Sequence, residues 1–313
     1  MTELPYHIPA LLEQSLDALN IKPSGVYVDC TLGGGGHTRG ILKRISETGG
    51  CGRLLSFDQD MDAIERAMSD KELSGNASLT LVHGNFRFLR NFLRFYDAGE
   101  VDGILADLGV SFHHFDDPER GFSFRWENGE LDMRMNRNSP LSAAKLLEEA
   151  TTEHLADIFY LYGELRQARQ MASAIVKSRQ EAPITTVSRL IETVRPFINP
   201  RQEKKELAQL FQALRIEVNG ELDALRSLLE QSRQALKPGG RLAIITYHSL
   251  EDRLVKNFLR TGNIEGKENK DFFGRNLSPF RPITSKPIIP DAEEVERNPR
   301  SRSAKLRVGE KQK

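Results

Sequence analysis

The sequence predicts an α/β protein, a Rossmann-like doubly wound sheet interrupted by an inserted helical domain. Three observations point there. Residues 26–37 (VYVDCTLGGGGH) read as a strand, a glycine turn and a helix start. Strand-like and helix-like segments then alternate up to residue 107, the order that builds a parallel sheet with helices on both faces. Three of those strands end in an acid: Asp29, Asp58 and Asp107. Beyond residue 110 the alternation stops, and helical periodicity occupies 139–198 before a strand returns at 241–246 (RLAIIT).

Residues 7–19 (HIPALLEQSLDAL) read as an amphipathic lead-in helix with Leu12, Leu16 and Leu19 on one face, ended by Pro23, Ser24 and Gly25. Val26, Tyr27 and Val28 form a short buried strand that Asp29 closes; the glycines turn the chain and His37 opens a helix. Helix-start N–H groups and a backbone without side chains let a polar ligand come close. Four consecutive glycines cost too much chain entropy to be an ordinary turn. The dinucleotide fingerprint G-x-G-x-x-G fails in both registers, because Thr38 or Arg39 stands where the third glycine belongs. An acid followed by a shorter turn suits the nucleoside of S-adenosylmethionine, which has no pyrophosphate to cradle.

Residues 53–57 are a second strand ending at Asp58, with a helix from Asp60. An acid there is placed to accept ribose hydroxyls, a role that serves any adenosyl ligand; the alternative is a helix cap. Residues 79–83 are a third strand, and Gly84, Asn85 and Phe86 lead into a helix. Phe86 reads equally as an adenine-stacking ring or a core plug. Residues 101–106 are a fourth strand, which delivers Asp107. Ligands of such sheets gather at the carboxyl ends of the strands, so the three acids mark the active face.

Residues 111–135 show no period and read as a long structured loop, of a length more often functional than idle. Ser139 and Pro140 read as a cap and first helical residue. One apolar stripe follows at Leu155, Ile158, Phe159 and Tyr162, and another at Met171, Ile175 and Val176, with breaks at Pro183 and Pro196. The charged faces of this insert either grip a substrate or are simply solvated. A long helix over 203–236, broken at Asn219 and Gly220, returns to the sheet through a turn at 237–240 and the strand 241–246. Tyr247, His248 and Ser249 end that strand, and a helix follows from Leu250. The tail from Arg260 is polar and proline-bounded, with a closing edge strand at 304–308 (AKLRV). The domain bounds are 1–138, 139–200 and 201–313.

At 313 residues, 28% charged and 39% hydrophobic, the chain can bury one large α/β core and a smaller one. No run has the apolar length of a membrane span, and MTELPYHIP is no signal peptide. Cys30 and Cys51 offer neither a disulfide framework nor a zinc site, so a reducing cytoplasm is expected, with no metal. Net charge is zero, yet from Arg253 to Lys313 there are 15 Lys and Arg against 8 Asp and Glu. Between Arg297 and Arg307 stand five basic residues and no acid, a run that is either a solvated tail or a phosphate-contacting one.

The stretches VDCTLGGGGHT, FDQD, DLGVS, DDPERGFSF, LDMRM, YGE, FQALRIEVNGEL, GGRLAIITYHSLEDR and NPRSRSAKLR run in order over nearly the whole chain. Together they resemble the bacterial small-subunit ribosomal RNA cytosine-N4 methyltransferases, the RsmH or MraW family. DDPERGFSF and HSLEDR are absent from generic methyltransferases. The resemblance implies a class I S-adenosylmethionine-dependent methyltransferase fold with an inserted helical domain. It also implies methyl transfer to N4 of a cytidine in small-subunit rRNA, within an assembled small subunit and away from membranes; homodimerisation is left open.

The resemblance sets Gly35, Gly36 and His37 against the cofactor, with Asp58, Phe86 and Asp107 completing the pocket. His114 falls where the family carries a glutamine that also lines the pocket, and it can donate or accept a hydrogen bond there. Asp107 has two candidate tasks, cofactor contact and acceptor for the N4 hydrogens, with Ser111 and His248 as further candidates for base contact or proton relay. His248 reads almost equally as a structural histidine. Arg125 and Trp126 are candidates to stack on a base, although Trp126 reads as well as an anchor, and Arg300 and Arg302 are candidates for phosphate contact. The target must be single-stranded or flipped. Other classes are a nicotinamide oxidoreductase, disfavoured by the missing glycine, a non-catalytic rRNA-binding assembly factor, and an amino-methyltransferase acting on another nucleic acid.

Overall fold

The computed structural model of the chain describes residues 9–47, 49–110, 112–274 and 277–313. It falls into two compact units, one of Met1–Gly109 with Leu222–Lys313 and one of Val110–Glu221.

The first unit holds a seven-stranded sheet of β1 (Val26–Asp29), β2 (Arg53–Asp58), β3 (Leu79–His83), β4 (Val101–Asp107), β5 (Leu236–Thr246), β6 (Phe280–Pro282) and β7 (Lys305–Lys311). Their order across the sheet is β3-β2-β1-β4-β5-β7-β6. The first five strands are parallel, and β7 is antiparallel to both its neighbours. Alternate residues of each central strand feed opposite faces, as the two-residue period of a strand demands. Val28, Leu55, Ile104 and Ile244 join one buried cluster, while Tyr27, Leu54, Leu105 and Ala243 join the other. This is a Rossmann-like, doubly wound sheet, with the order reversing between β1 and β4. A crevice outside that reversal is where such sheets receive ligands.

Several expected boundaries shift. The lead-in helix is Leu12–Leu19, and residues 7 and 8 of its expected start lie outside the described residues. The expected turn at 237–240 lies within β5. Val101 pairs with Leu236 and Gly103 with Arg241, so the intervening residues bulge opposite Asp102, whose carboxylate takes Lys237 Nζ at 2.7 Å. The strand expected to close the sheet at its edge is internal, since β6 covers its far side. The reason is backbone pairing, since the outer N–H and C=O groups of β7 are taken by β6 and by Ile283 and Ile288.

The second unit contains the helices Ala143–Glu149, Thr152–Leu161, Ala168–Glu181, Val187–Val194 and Glu203–Asn219 around its own core. Ser142, not Ser139, caps the first of them, its Oγ accepting from Lys145 N at 3.2 Å. The stretch read as a loop includes a helix, Phe112–Asp116, and a turn of 3-10 helix, Pro118–Arg120. It also buries Phe122, Leu131, Met133 and Met135 in the core. Arg120 is 1% exposed and donates Nη2 to the Arg134 and Met135 carbonyls at 3.0 and 3.1 Å. Asn219 ends the last helix, taking Met135 N at 2.7 Å and donating to Met133 O at 2.8 Å. Residues 112–135 and 203–219, which the sequence assigns to the flanking parts, therefore belong to this unit. No helix among the described residues is long and apolar enough to cross a membrane.

Candidate active site

The glycine loop is shaped from beneath by Asp29, which is fully buried at the end of β1. Its carboxylate takes Thr31 N at 3.0 Å and Thr38 Oγ1 at 2.7 Å, and Thr38 reaches Ser56 Oγ on β2 at 2.8 Å. Burial pushes the Asp29 carboxyl up, against the pull of those hydrogen bonds. This acid looks inward and serves the loop. From outside, Arg39 donates to Gly34 O at 2.9 Å and pairs with Asp70 at 2.7 Å. Gly35 has φ +76°, in the left-handed region, and a Cβ on Gly36 would lie 2.7 Å from Pro9 Cγ. The helix Gly36–Glu47 begins there, so its first N–H groups face the loop.

Asp58 ends β2, half-buried. One oxygen accepts Gly33 N and the other Asp60 N, both at 2.9 Å. Each oxygen keeps a further lone pair. Burial raises this carboxyl to about 6. It is not a helix cap; Asp60 is, accepting Asp62 N at 3.1 Å. Phe86 opens a short 3-10 turn after β3, partly packed against the core. Asn85 before it donates to Gln59 Oε1 at 2.7 Å.

Asp107 ends β4. Its N donates to Thr31 Oγ1 at 2.7 Å, its Oδ1 accepts the Tyr247 hydroxyl at 2.8 Å, and its Oδ2 lies 3.8 Å from His37 Nδ1. Burial raises this carboxyl to about 6, opposed by His37 and by the Tyr247 hydrogen bond. His37 Nε2 is 3.2 Å from the Ala10 carbonyl, which can only accept, so Nε2 carries the hydrogen. Burial lowers the imidazole's pKa. His37 Nδ1 and Asp107 Oδ2 thus face one another at the end of β4.

Tyr247 packs its ring over Gly109, where a Cβ would come within 3.1 Å of Tyr247 Cδ2. Burial holds its hydroxyl protonated, well above the usual range, so it donates to Asp107. Tyr247 N donates to Glu251 Oε2 at 3.1 Å. His248, largely buried, has Nε2 3.2 Å from Glu251 Oε1, outside hydrogen-bonding alignment.

The structure thus brings Gly35, Gly36, His37, Asp58, Asp107 and His248 to the carboxyl ends of β1, β2, β4 and β5, with Phe86 just beyond β3. Arg300 and Arg302 are exposed on the 3-10 turn Pro299–Ser303 of the same unit. His114, Arg125 and Trp126 belong to the second unit. There His114 is buried and stacked on Phe122, with centroids 4.8 Å apart. Arg125 is exposed, and Trp126 is 43% exposed with Nε1 donating to Phe115 O at 3.1 Å. Ser111 lies outside the described residues. Sequence reasoning missed Tyr247 and Thr31 as partners of Asp107, because only the adjacency of β1, β4 and β5 reveals them.

The model of the MraW methylase family matches residues 5–312. A protein of Bacteroides fragilis named ribosomal RNA small subunit methyltransferase H is 56% identical over 309 residues, covering 99% of this chain and 98% of its own length. Its namesake in Bacteroides thetaiotaomicron is likewise 56% identical over 309 residues, with the same coverage. That of Flavobacterium johnsoniae is 49% identical over 310 residues, with 99% of both chains covered.

Proposed function

The chain belongs to the MraW methylase family, and we propose that it transfers the methyl group of S-adenosylmethionine to the exocyclic N4 of a cytidine in small-subunit ribosomal RNA. The names of the relatives support rRNA of the small subunit as substrate. The residues fit the cofactor. Gly35 and Gly36 leave the space a side chain would fill, Asp58 keeps lone pairs for two ribose hydroxyls, and no third glycine makes room for a pyrophosphate. His37 and Phe86 flank the same pocket in this reading, and His114 stands at the position where the family carries a cofactor-lining glutamine. When bound, the cofactor supplies an electrophilic methyl group on a sulfonium.

A cytosine amine is a poor nucleophile, its lone pair being delocalised into the ring. The protein must orient it and accept a hydrogen from it. Asp107 does so with Oδ2, the oxygen that Tyr247 leaves untaken. Tyr247 and Thr31 fix the carboxylate and backbone of Asp107, so the acceptor needs no reorganisation as the proton leaves. His248 and Ser111 contact the base or relay the proton. Arg125 and Trp126 stack on bases, and Arg300 and Arg302 meet phosphates, of an rRNA that presents an unstacked cytidine in the assembled subunit.

The observation that carries this reading is the Asp107 carboxylate, held at a strand end beside the glycine loop and poised near neutrality. Small subunits lacking the modification, incubated with labelled S-adenosylmethionine, should acquire label in N4-methylcytidine on nucleoside mass analysis. Asp107→Ala should reduce the rate at least a hundredfold while still binding cofactor. Label in another nucleoside, in DNA, or in none despite cofactor binding would refute the reading; the last would leave an assembly factor.

A further inference from the structure

The segment 84–96 (GNFRFLRNFLRFY) carries three arginines and five aromatic residues with no acid. It forms the 3-10 turn Phe86–Phe88 and the helix Leu89–Phe95. Leu89 and Leu93 are buried, and Phe92 packs edge-on against Phe57 of β2 at 5.4 Å. That accounts for the inner face. On the outer face Phe88 is 52% and Phe95 78% exposed, and Arg90, Asn91 and Arg94 are exposed beside them. Steps of three and four residues align Phe88, Asn91 and Phe95 in one stripe, with the arginines in the adjacent one.

The backbone of this element is fixed. Gln231 accepts Arg90 N at 2.9 Å and donates to Arg87 O at 2.6 Å. Phe95 stands edge-on to Tyr96 at 4.9 Å. The side chains of Arg90 and Arg94 take no part in this. Among the described residues neither has a carboxylate partner, whereas the nearby Arg233 is within 3.8 Å of Glu230. Solvated charge alone explains exposed arginines. It does not explain two exposed phenylalanines two helical turns apart, which lose favourable burial unless something covers them.

We propose that this face is a second RNA-contacting surface, on which phosphates meet Arg90 and Arg94 and unpaired bases stack on Phe88 and Phe95. The proposal rests on the rRNA reading above and extends it. Cations alternating with aromatic rings match the charge and the π-faces of single-stranded RNA. The face also starts at the rim of the proposed cofactor pocket. The turn follows the carboxyl end of β3, and Asn85 at its head bonds Gln59, the residue after Asp58. A membrane surface is the weaker match, because the leucines that would enter it are already buried in the protein.

The test compares wild type with Arg90→Ala/Arg94→Ala and Phe88→Ala/Phe95→Ala, all surface changes. It measures binding to unmodified small subunits across a salt series, methyl-transfer kinetics and cofactor affinity. The arginine pair should weaken RNA binding about tenfold at low salt and reduce the log–log salt slope by about 1.4, two single-strand contacts' worth. The phenylalanine pair should weaken it about tenfold or more with the slope unchanged. In both variants KM for the subunit should rise while kcat and cofactor affinity stay as in wild type. Unchanged RNA affinity and slope, in a wild type that binds and methylates, would overturn this inference alone. Loss instead of anionic-vesicle binding or of self-association, with RNA binding intact, would also overturn it, in favour of a membrane or a second copy. A wild type that binds rRNA through this face but methylates another substrate would sink the functional reading and leave the surface standing.

Discussion

Asp107 is costly as a charged group and useful for the same reason. Burial lifts its carboxyl from the ordinary 3.8 to about 6, although Tyr247 and His37 both favour the charged form. A carboxyl raised in the native state opposes folding once it must ionise. Below about pH 4 folded and unfolded chains are both protonated there, and no penalty exists. Between pH 4 and 6 the unfolded chain releases the proton first, so native stability falls as pH rises; above 6 the loss is complete. The difference corresponds to about 3 kcal/mol at most. Asp107→Asn keeps an acceptor for Tyr247 but never ionises. In urea unfolding it should match wild type near pH 4 and exceed it by about 2 kcal/mol above pH 6. A gap independent of pH would show that burial of the charge is not its source. Wild-type methyl transfer should decline below pH 6, as Asp107 protonates and can no longer accept hydrogen from the amine.

At the scale of elements, the glycine loop depends on close approach more than on flexibility. Gly36→Ala would drive a Cβ to 2.7 Å from Pro9 Cγ, whereas a Cβ on Gly75 meets only Lys71 O at 3.7 Å. The Gly36 variant should lose at least tenfold in cofactor affinity and about 1–3 kcal/mol of stability, while Gly75→Ala serves as the near-neutral control. Calorimetric titration with S-adenosylmethionine checks this, and equal affinities would mean that the loop relaxes freely. The loop and the strand-end acids were legible in the sequence because their signals are local, a short apolar run, an acid and a glycine turn. The partners of those acids were not. Tyr247 reaches Asp107 only because β5 lies beside β4, in a register that pairs Asp107 with Ile245. Residues 111–135 had no readable period because their bonds run far along the chain, as from Met135 to Asn219, 84 residues on. The position of β7 was hidden likewise, since its pairing with β6 is set by tertiary contact.

Over the whole molecule, neutrality is a balance between regions, and the C-terminal excess of positive charge is only partly available to a polyanion. Arg307 is held bidentately by Asp252 at 2.6 and 3.1 Å, and Lys305 lies 3.8 Å from the same carboxylate. Those two cations tie β7 to the helix Ser249–Thr261 and are spent on the fold. Arg300 and Arg302 project from the turn before β7 and are exposed. If phosphates are met there, each contact releases counterions and adds about 0.7 to 0.9 to the slope of log affinity against log salt. Arg300→Ala/Arg302→Ala should therefore weaken rRNA binding and flatten that slope by about 1.4 to 1.8. Arg307→Ala should leave the slope alone and lower stability, because it removes both hydrogen bonds of a largely buried carboxylate and leaves it only Lys305 at 3.8 Å. The two variants separate a cation that binds RNA from one that holds the sheet. The reverse pattern, a slope that follows Arg307 and ignores Arg300 and Arg302, would place the RNA track elsewhere on the molecule.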